Sequence, residues 1–275
     1  SGVPVQLPRA ENHLTLLACV AGEDPAFVLL YLNADQNCIH LLGVPGQLAV
    51  PFSDGEASLA DCYAAAGPAR CLQGLGAVVD LPEDARYLAA TPETLAGLCD
   101  AYGSLRVGFS GVLSPEERTR FDQTGVRDWD GASAHAFLQE LADSLAPDTA
   151  AAARAAVWDA FFRQNLEALP AALPDSLREA SGSLLTDLTA ADLLTLEDTL
   201  ELLANNGAVV ESSVLPGRTD RRSGLYVLGE EAGPAVQAFF NVADSAPASG
   251  AQSASSSAPY PSTSVPGGQP AGPSM

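Results

Sequence analysis

Residues 59–107 read LADCYAAAGPARCLQGLGAVVDLPEDARYLAATPETLAGLCDAYGSLRV, and this stretch decides the fold class. Runs rich in Ala and Leu, which favour helices, alternate with short apolar segments that favour strands. Gly67-Pro68 interrupts the first helical run, and Gly103 follows the last one, where a turn is expected. The order helix, Gly-Pro, helix, strand, helix, Gly turn, strand is typical of an α/β protein.

Closely spaced apolar runs precede this stretch, at residues 14–18, 27–33 and 39–44, and they predict strands that are buried on both faces. Further helices are predicted at 58–75, 91–101, 132–145 and 149–169, and Thr189 opens a capping box that predicts a helix to about residue 203. Residues 209–215 and 225–228 predict a hairpin, and 230–241 a closing helix. We therefore expect an α/β/α sandwich with a central mixed β-sheet flanked by helices on both faces.

The chain divides into three parts by composition. Residues 1–11 are interpreted as an N-terminal linker and 12–241 as one folded domain. Residues 242–275 are rich in Ser, Pro, Ala and Gly and have almost no large apolar side chain, so we expect a disordered tail.

Charge excludes one class of function. The sequence has 34 acidic and 13 basic residues, with a net charge of -21, and all of its basic residues are Arg. Such a chain repels phosphate backbones at long range, so nucleic-acid binding and a transcriptional role are disfavoured. The absence of Lys also excludes the lysine of a Walker-type phosphate loop.

The five cysteines show no Cys-x-x-Cys pair, and with three scattered histidines they give no zinc-binding spacing. We interpret them as buried small apolar residues, while an extracellular setting would permit a disulfide. The longest apolar runs, at residues 14–21 and 27–32, are much shorter than the roughly 20 residues of a membrane-spanning helix. A membrane anchor upstream of Ser1 is compatible with this sequence.

The order of elements in 59–107, together with short motifs between residues 14 and 240, resembles the LytR-CpsA-Psr family. Members of this family transfer anionic glycopolymers from a polyprenyl pyrophosphate carrier to the bacterial cell wall. The motifs are DGASAHAFLQ at 130–139, resembling the family pattern D-G-x-x-A-L-x-Y-x-R, and LLTDLTAADLL at 184–194, resembling T-N-L-T-x-x-D-L-L. Leu215-Pro216-Gly217 and Tyr226 complete the resemblance.

The resemblance implies a magnesium ion held by two aspartates and several arginines around the pyrophosphate. Arginine suits this task because its planar guanidinium binds phosphate in a bidentate manner. Ala21 stands at the first metal position and Asp24 at the second, so Asp24 is the candidate metal ligand, with a solvated turn residue as the alternative. The segment that resembles I-P-R-D reads Val-Pro-Gly46-Gln47, without its charged residues.

Two helical motifs lose arginines in the same way. Gln139 stands where DGASAHAFLQ should end in Arg. His135 occupies an apolar position of the same motif and is interpreted as a locally satisfied helix-face histidine, with a catalytic histidine as the alternative. The motif D-x-x-R-x-x-R-Q is matched from Asp148, but Ala151 replaces its first arginine and only Arg154 remains. Arg154 is either a residual anion ligand or an exposed helix residue. Arg218, Arg221 and Arg222 form a basic loop that attracts a polyanion or is simply solvated.

These residues predict a pyrophosphate pocket whose candidates are Arg154, Asp148, Gly46, Gln47, Gln139 and Ala151. Because most of the charged positions are replaced, we expect a pseudoenzyme that binds a polyprenyl-(pyro)phosphate-linked glycopolymer or another lipid, and the magnesium expected in the family is doubtful. The alternative is an active phosphotransferase that attaches glycopolymers to peptidoglycan. The resemblance further implies an extracytoplasmic location at the cell envelope, with a membrane anchor in the full-length protein and peptidoglycan as a partner.

Overall fold

The computed structural model describes residues 5–240, which form an α/β/α sandwich, as the sequence predicts. The strands in this part of the chain are β1 (His13–Val20), β2 (Ala26–Asn33), β3 (Cys38–Val44), β4 (Ala49–Phe52), β5 (Gly55–Ser58), β6 (Arg86–Ala90), β7 (Leu105–Val107), β8 (Arg127–Trp129), β9 (Leu184–Thr186), β10 (Val209–Val214), β11 (Gly217–Thr219) and β12 (Tyr226–Leu228). The α-helices are α1 (Leu59–Val78), α2 (Pro92–Asp100), α3 (Pro115–Arg120), α4 (Gly131–Ser144), α5 (Pro147–Asn165), α6 (Leu169–Glu179), α7 (Ala190–Asn205) and α8 (Ala232–Phe240).

The central sheet has six strands in the order β10-β3-β2-β1-β6-β9. β1, β2 and β3 are antiparallel neighbours, whereas β6 runs parallel to β1 and β10 runs parallel to β3. β1 to β3 are buried over nearly their whole length, which confirms the prediction made from their continuous apolar runs.

Side chains alternate between the two faces of the sheet because successive residues of a strand point in opposite directions. Leu17 and Leu29 pack with α1 and α8, and we call this side the α1 face. Leu16 and Leu30 point to the other side and pack with α5, α6 and α7, and we call this side the α5 face. A smaller apolar cluster joins the β7–β8 hairpin to α4 and α5.

Two glycines bring helices unusually close to their neighbours. A Cβ atom on Gly43 of β3 would lie 2.3 Å from the carbonyl oxygen of Ala151 in α5. A Cβ atom on Gly131, at the start of α4, would lie 2.6 Å from the Cα atom of Ala96 in α2. The absence of a side chain at both positions therefore lets α5 contact the sheet directly and lets α4 contact α2.

Two sequence-based predictions are corrected, one helix boundary and one strand pairing. The helix predicted at 149–169 ends at Asn165, and a separate helix, α6, begins at Leu169. The predicted hairpin of 209–215 with 225–228 is wrong because β10 is an edge strand of the central sheet, parallel to β3. The hairpin in this region joins β11 to β12 instead.

Within residues 5–240, no helix combines the length and the apolar character that crossing a bilayer requires. All five cysteines are free thiols; four are buried and Cys99 is partly buried. The tail predicted at 242–275 lies outside the described residues.

Candidate functional site

A cleft of about 240 Å³, which we call the polar cleft, opens where several of the predicted site residues meet. The turn before β2 contributes Asp24, and the turn after β3 contributes Gly46 and Gln47. Helices α4 and α5 supply the other predicted residues, which are Gln139, Ala151 and Arg154. Segments that are distant in sequence therefore surround a single cleft, whose role in binding remains a prediction.

Arg154 is the most unusual side chain of the cleft. It is only 6% exposed, so the interpretation as an exposed helix residue is wrong. Burial lowers the pKa of Arg154 to about 10, which still leaves it charged at neutral pH. No carboxylate in residues 5–240 lies within 4.0 Å of it, and no described side chain or carbonyl group accepts a hydrogen bond from it. A buried charge without a counter-ion is costly, so this arrangement favours an anionic ligand.

The amino ends of two helices also face the polar cleft. Ser58, whose hydroxyl accepts a hydrogen bond from the Asp61 N–H at 3.0 Å, caps the start of α1 and lines the cleft. Pro147 and Ala150 bring the first turn of α5 to the same cleft, and no side chain caps that helix. The positive ends of both helix dipoles therefore add to the attraction for an anion.

A second space lies between the α5 face of the sheet and the helices α2, α4, α5, α6 and α7, and we call it the apolar cavity. It measures about 150 Å³. Apart from Arg154 and His135, its lining consists of aliphatic and aromatic side chains, Cys99 and Gly131. An apolar cavity of about this size stays dry and holds a molecule as large as benzene, which is close to one isoprene unit. A longer chain would have to widen the cavity.

Arg154 and Leu138 line both the polar cleft and the apolar cavity. The Arg154 side chain therefore lies between a polar and an apolar compartment. An amphiphile with an anionic headgroup and a hydrocarbon chain matches this arrangement, because each of its parts meets a compartment of its own chemistry.

The metal site implied by the resemblance is only partly present. Asp24 lines the cleft and is exposed, and Asp143 of α4 is a second exposed carboxylate there. Residues 5–240 contain no group of three or more His, Cys, Asp or Glu side chains that is arranged to hold a metal. Mg²⁺ is commonly held by one or two protein carboxylates together with substrate phosphates, and Asp24 and Asp143 are the two carboxylates that line this cleft.

Asp148 does not line the polar cleft. Its carboxylate accepts a hydrogen bond from the Thr149 N–H at 3.0 Å. Burial, together with the negative charge of Asp148, raises the pKa of Tyr226 to about 12. Asp148 therefore lies beside β12 rather than among the other predicted residues.

The basic loop lies at the end of the β11–β12 hairpin. The N–H of Tyr226 in β12 donates a hydrogen bond to the carbonyl oxygen of Gln47 at 2.9 Å, so the hairpin is attached to a segment that lines the cleft. Arg218, Arg221 and Arg222 are exposed and form no ion pair within the described part of the chain. Both interpretations of this loop stay open.

Sequence reasoning missed Asp143, and it left open whether the helices against the sheet line an apolar cavity or form a filled core. Asp143 follows Gln139 by four residues, so the helical period alone places both side chains on the same face of α4. The cavity had no comparable signal, because leucines that line a cavity and leucines that fill a core are identical in the sequence.

These observations define an α/β/α domain with a polar cleft and an apolar cavity that share the side chains of Leu138 and Arg154. Solved structures with the same architecture include TagT from B. subtilis (TM-score 0.62, 16% identity, 87% of this chain and 94% of that chain). They also include TagT bound to LIIa-WTA (TM-score 0.62, 16% identity), where the match covers 84% of this chain and 89% of that chain. The Lin1025 protein from Listeria innocua matches with a TM-score of 0.59 and 14% identity, over 84% of this chain and 97% of that chain.

These are LytR-CpsA-Psr structures, and this chain has the LytR-CpsA-Psr fold, which confirms the resemblance seen in its motifs. The sequence matches no protein-family model, and no curated protein matches it. At identities of 14% to 16% the structural likeness establishes the fold, while the chemistry of the cleft depends on this chain's own residues.

Proposed function

We propose that this domain binds a polyprenyl-(pyro)phosphate-linked glycopolymer, or a related anionic lipid, at the cell envelope without efficient transfer of the polymer. The phosphate groups occupy the polar cleft next to Arg154, and the first part of the hydrocarbon chain enters the apolar cavity. TagT, a protein of the same fold, has been captured with LIIa-WTA, which supports a glycopolymer as the ligand class. Proteins of this fold act at the cell envelope, which supports the proposed location.

The observation that carries the proposal is the position of Arg154. It is buried, has no acidic partner in residues 5–240, and lies where the polar cleft meets the apolar cavity. A core arginine retained for structural reasons would need a carboxylate or several carbonyl groups to balance its charge. An anionic headgroup supplies that balance when the ligand is bound.

Weak catalysis follows from the charge of the cleft. Ala21, Gly46, Gln139 and Ala151 are uncharged at positions where the resemblance implies charged residues. A hydrogen bond to a charged group contributes roughly 1.5–3 kcal/mol, so several lost contacts would lower turnover by orders of magnitude. The two helix amino ends replace only part of this, since each contributes at most about 2 kcal/mol.

A magnesium ion remains a proposal. If one accompanies the phosphate ligand, Asp24 and Asp143 would hold it, and it would neutralise phosphate charge. The chain's own residues bind and orient the phosphate headgroup. Arg154 contacts the phosphate oxygens, and the amino ends of α1 and α5 face the same anion.

The direct experiment measures binding and turnover in the same preparation. The domain is titrated with farnesyl diphosphosugar, with and without Mg²⁺, and wild type is compared with Arg154→Gln. We expect wild-type binding and at least a tenfold loss in the variant, because the single buried cation of the cleft is removed. Equal binding by both proteins would refute the proposal.

The active phosphotransferase is the alternative, and its test is carrier release in the presence of a lipid-linked glycopolymer, peptidoglycan and Mg²⁺. Clear turnover would favour the alternative over the pseudoenzyme. The double variant Gln139→Arg with Ala151→Arg should raise affinity for pyrophosphate, since both side chains line the cleft. Gly46→Arg is a poorer choice, because its Cβ atom would lie 3.2 Å from the carbonyl oxygen of Pro25.

A further inference from the structure

His135 lies on the cavity side of the junction marked by Arg154. Both side chains line the apolar cavity. One turn further along α4, Gln139 lines the polar cleft. A headgroup that extends from the polar cleft past Arg154 into the cavity would therefore meet the imidazole ring, which stands where the family pattern has an apolar residue.

The imidazole has no partner that would explain its presence in an apolar cavity. It forms no hydrogen bond and no ion pair with any described residue, and the side chain is partly exposed, so no protein partner supports the interpretation as a locally satisfied histidine. Among the described groups, α5 directs Arg154 toward it, and α2 contributes Glu93 and the cavity-lining thiol of Cys99. Burial and the positive charge of Arg154 lower the pKa of His135, and Glu93 opposes this only in part. The ring is therefore neutral in the free protein at neutral pH.

We propose that His135 is a second, proton-dependent ligand for the anionic headgroup held at Arg154. When a diphosphate binds, its negative charges offset the repulsion from Arg154, and the imidazole takes up a proton from solvent. The imidazolium then donates a hydrogen bond to a phosphate oxygen. This inference rests on the proposed function, because it requires the headgroup to lie beside Arg154.

The direction of the pH dependence follows from linkage. A histidine whose pKa is higher in the complex than in the free protein strengthens binding fully below the free-state pKa, and this gain is lost as pH rises through the pKa of the complex. The affinity must therefore rise on acidification. The domain would therefore bind a lipid with a diphosphate headgroup more tightly at acidic pH than at alkaline pH.

The test is a binding titration with farnesyl diphosphosugar from about pH 8 to about pH 5.5, a range that brackets the ordinary titration of histidine. Each phosphate of this probe carries one ester and one anhydride bond, so its single acidic group stays ionised and the charge is constant over this range. We expect the wild-type dissociation constant to fall about tenfold, which corresponds to a pKa change of about one unit. His135→Gln should bind with little pH dependence.

His13→Gln is the matched control, since His13 is hydrogen-bonded to Asp84 and does not line the cavity. It should keep the wild-type pH profile. If His135→Gln keeps that profile as well, the inference is overturned while the proposed function stands. If wild type does not bind the probe at any pH, both fail.

A second measurement does not depend on the stability of a variant. The pKa of His135 in the wild-type protein is followed by the NMR shift of its ring protons, with and without the probe. We expect the pKa to rise when the probe is bound. An unchanged or lower pKa in the complex would show that the headgroup does not contact the ring.

Discussion

The two faces of the central sheet come from the same strands but are packed differently. On the α1 face, Leu17 and Leu29 lie in a filled core whose side chains are almost completely buried. On the α5 face, Leu16 and Leu30 line the apolar cavity. An unfilled space deprives its lining of dispersion contacts, so the α5 face is stabilised less than it would be by a filled core. The unfilled space of the domain's sheet packing therefore lies on the α5 face, the side on which the proposed ligand would bind.

The largest expected contrast is in leucine truncations at neighbouring positions of β2. Leu29→Ala creates a new void in the filled α1 face and should lower the free energy of unfolding by about 3–5 kcal/mol. Leu30→Ala enlarges a space that already exists, so we expect a loss of about 2–3 kcal/mol. Urea unfolding of both variants measures the contrast. Equal losses would mean that the cavity is filled in solution.

Removal of the unpaired arginine should have the opposite sign from removal of a paired one. Arg154→Leu should raise the stability of the ligand-free protein by about 1–3 kcal/mol, because it removes a buried charge without a counter-ion. Arg163→Leu on the same helix should lower it by about 1 kcal/mol, since Arg163 forms an ion pair with Asp159 at 3.0 Å and donates a hydrogen bond to the carbonyl oxygen of Val210. Thermal unfolding without ligand compares the two. A destabilised Arg154→Leu variant would show that Arg154 has a structural partner.

Enlarging two buried alanines tests the same difference between the two faces of the sheet, with smaller expected changes in stability. Ala89→Leu places extra volume in the filled α1 face and should cost about 1–3 kcal/mol. Ala18→Leu extends into the apolar cavity, so stability should be nearly unchanged while binding of farnesyl diphosphosugar weakens. Chemical unfolding and a binding titration read out both effects. Strong binding by Ala18→Leu would place the hydrocarbon chain outside the cavity.

The smallest effect concerns thiol reactivity. Cys19, Cys38, Cys62 and Cys71 are buried in the core of the α1 face, whereas Cys99 lines the cavity and is partly buried. Burial raises the pKa of Cys99 to about 11 and that of Cys71 to about 12, so all of these thiols react slowly. Mass spectrometry after maleimide treatment should find Cys99 modified first, and more slowly with the lipid probe bound. Earlier modification of Cys19 would indicate that the α1 face opens.

The central strands β1 to β3 were predictable from the sequence, because a strand that is buried on both faces of the sheet needs a continuous apolar run. β10 was misassigned because its parallel pairing with β3 joins residues about 170 positions apart, from Val209 to Cys38, and no local signal reports such pairing. The resemblance implied charged residues at the positions of Gly46, Gln139 and Ala151. It did not show that Arg154 lacks a partner or that a cavity begins beside it, because both facts depend on packing between distant segments.

The missing side chain of Gly43 links the sheet to the site. Ala151 and Arg154 belong to the helix that contacts this glycine, and a methyl group there would meet the Ala151 carbonyl oxygen at 2.3 Å. Gly43→Ala would therefore displace α5 from the sheet and change the spacing between the polar cleft and the apolar cavity without altering any residue that lines either of them. The size of the residue at position 43 therefore sets how closely α5 approaches the sheet, independently of the side chains that line the cleft and the cavity.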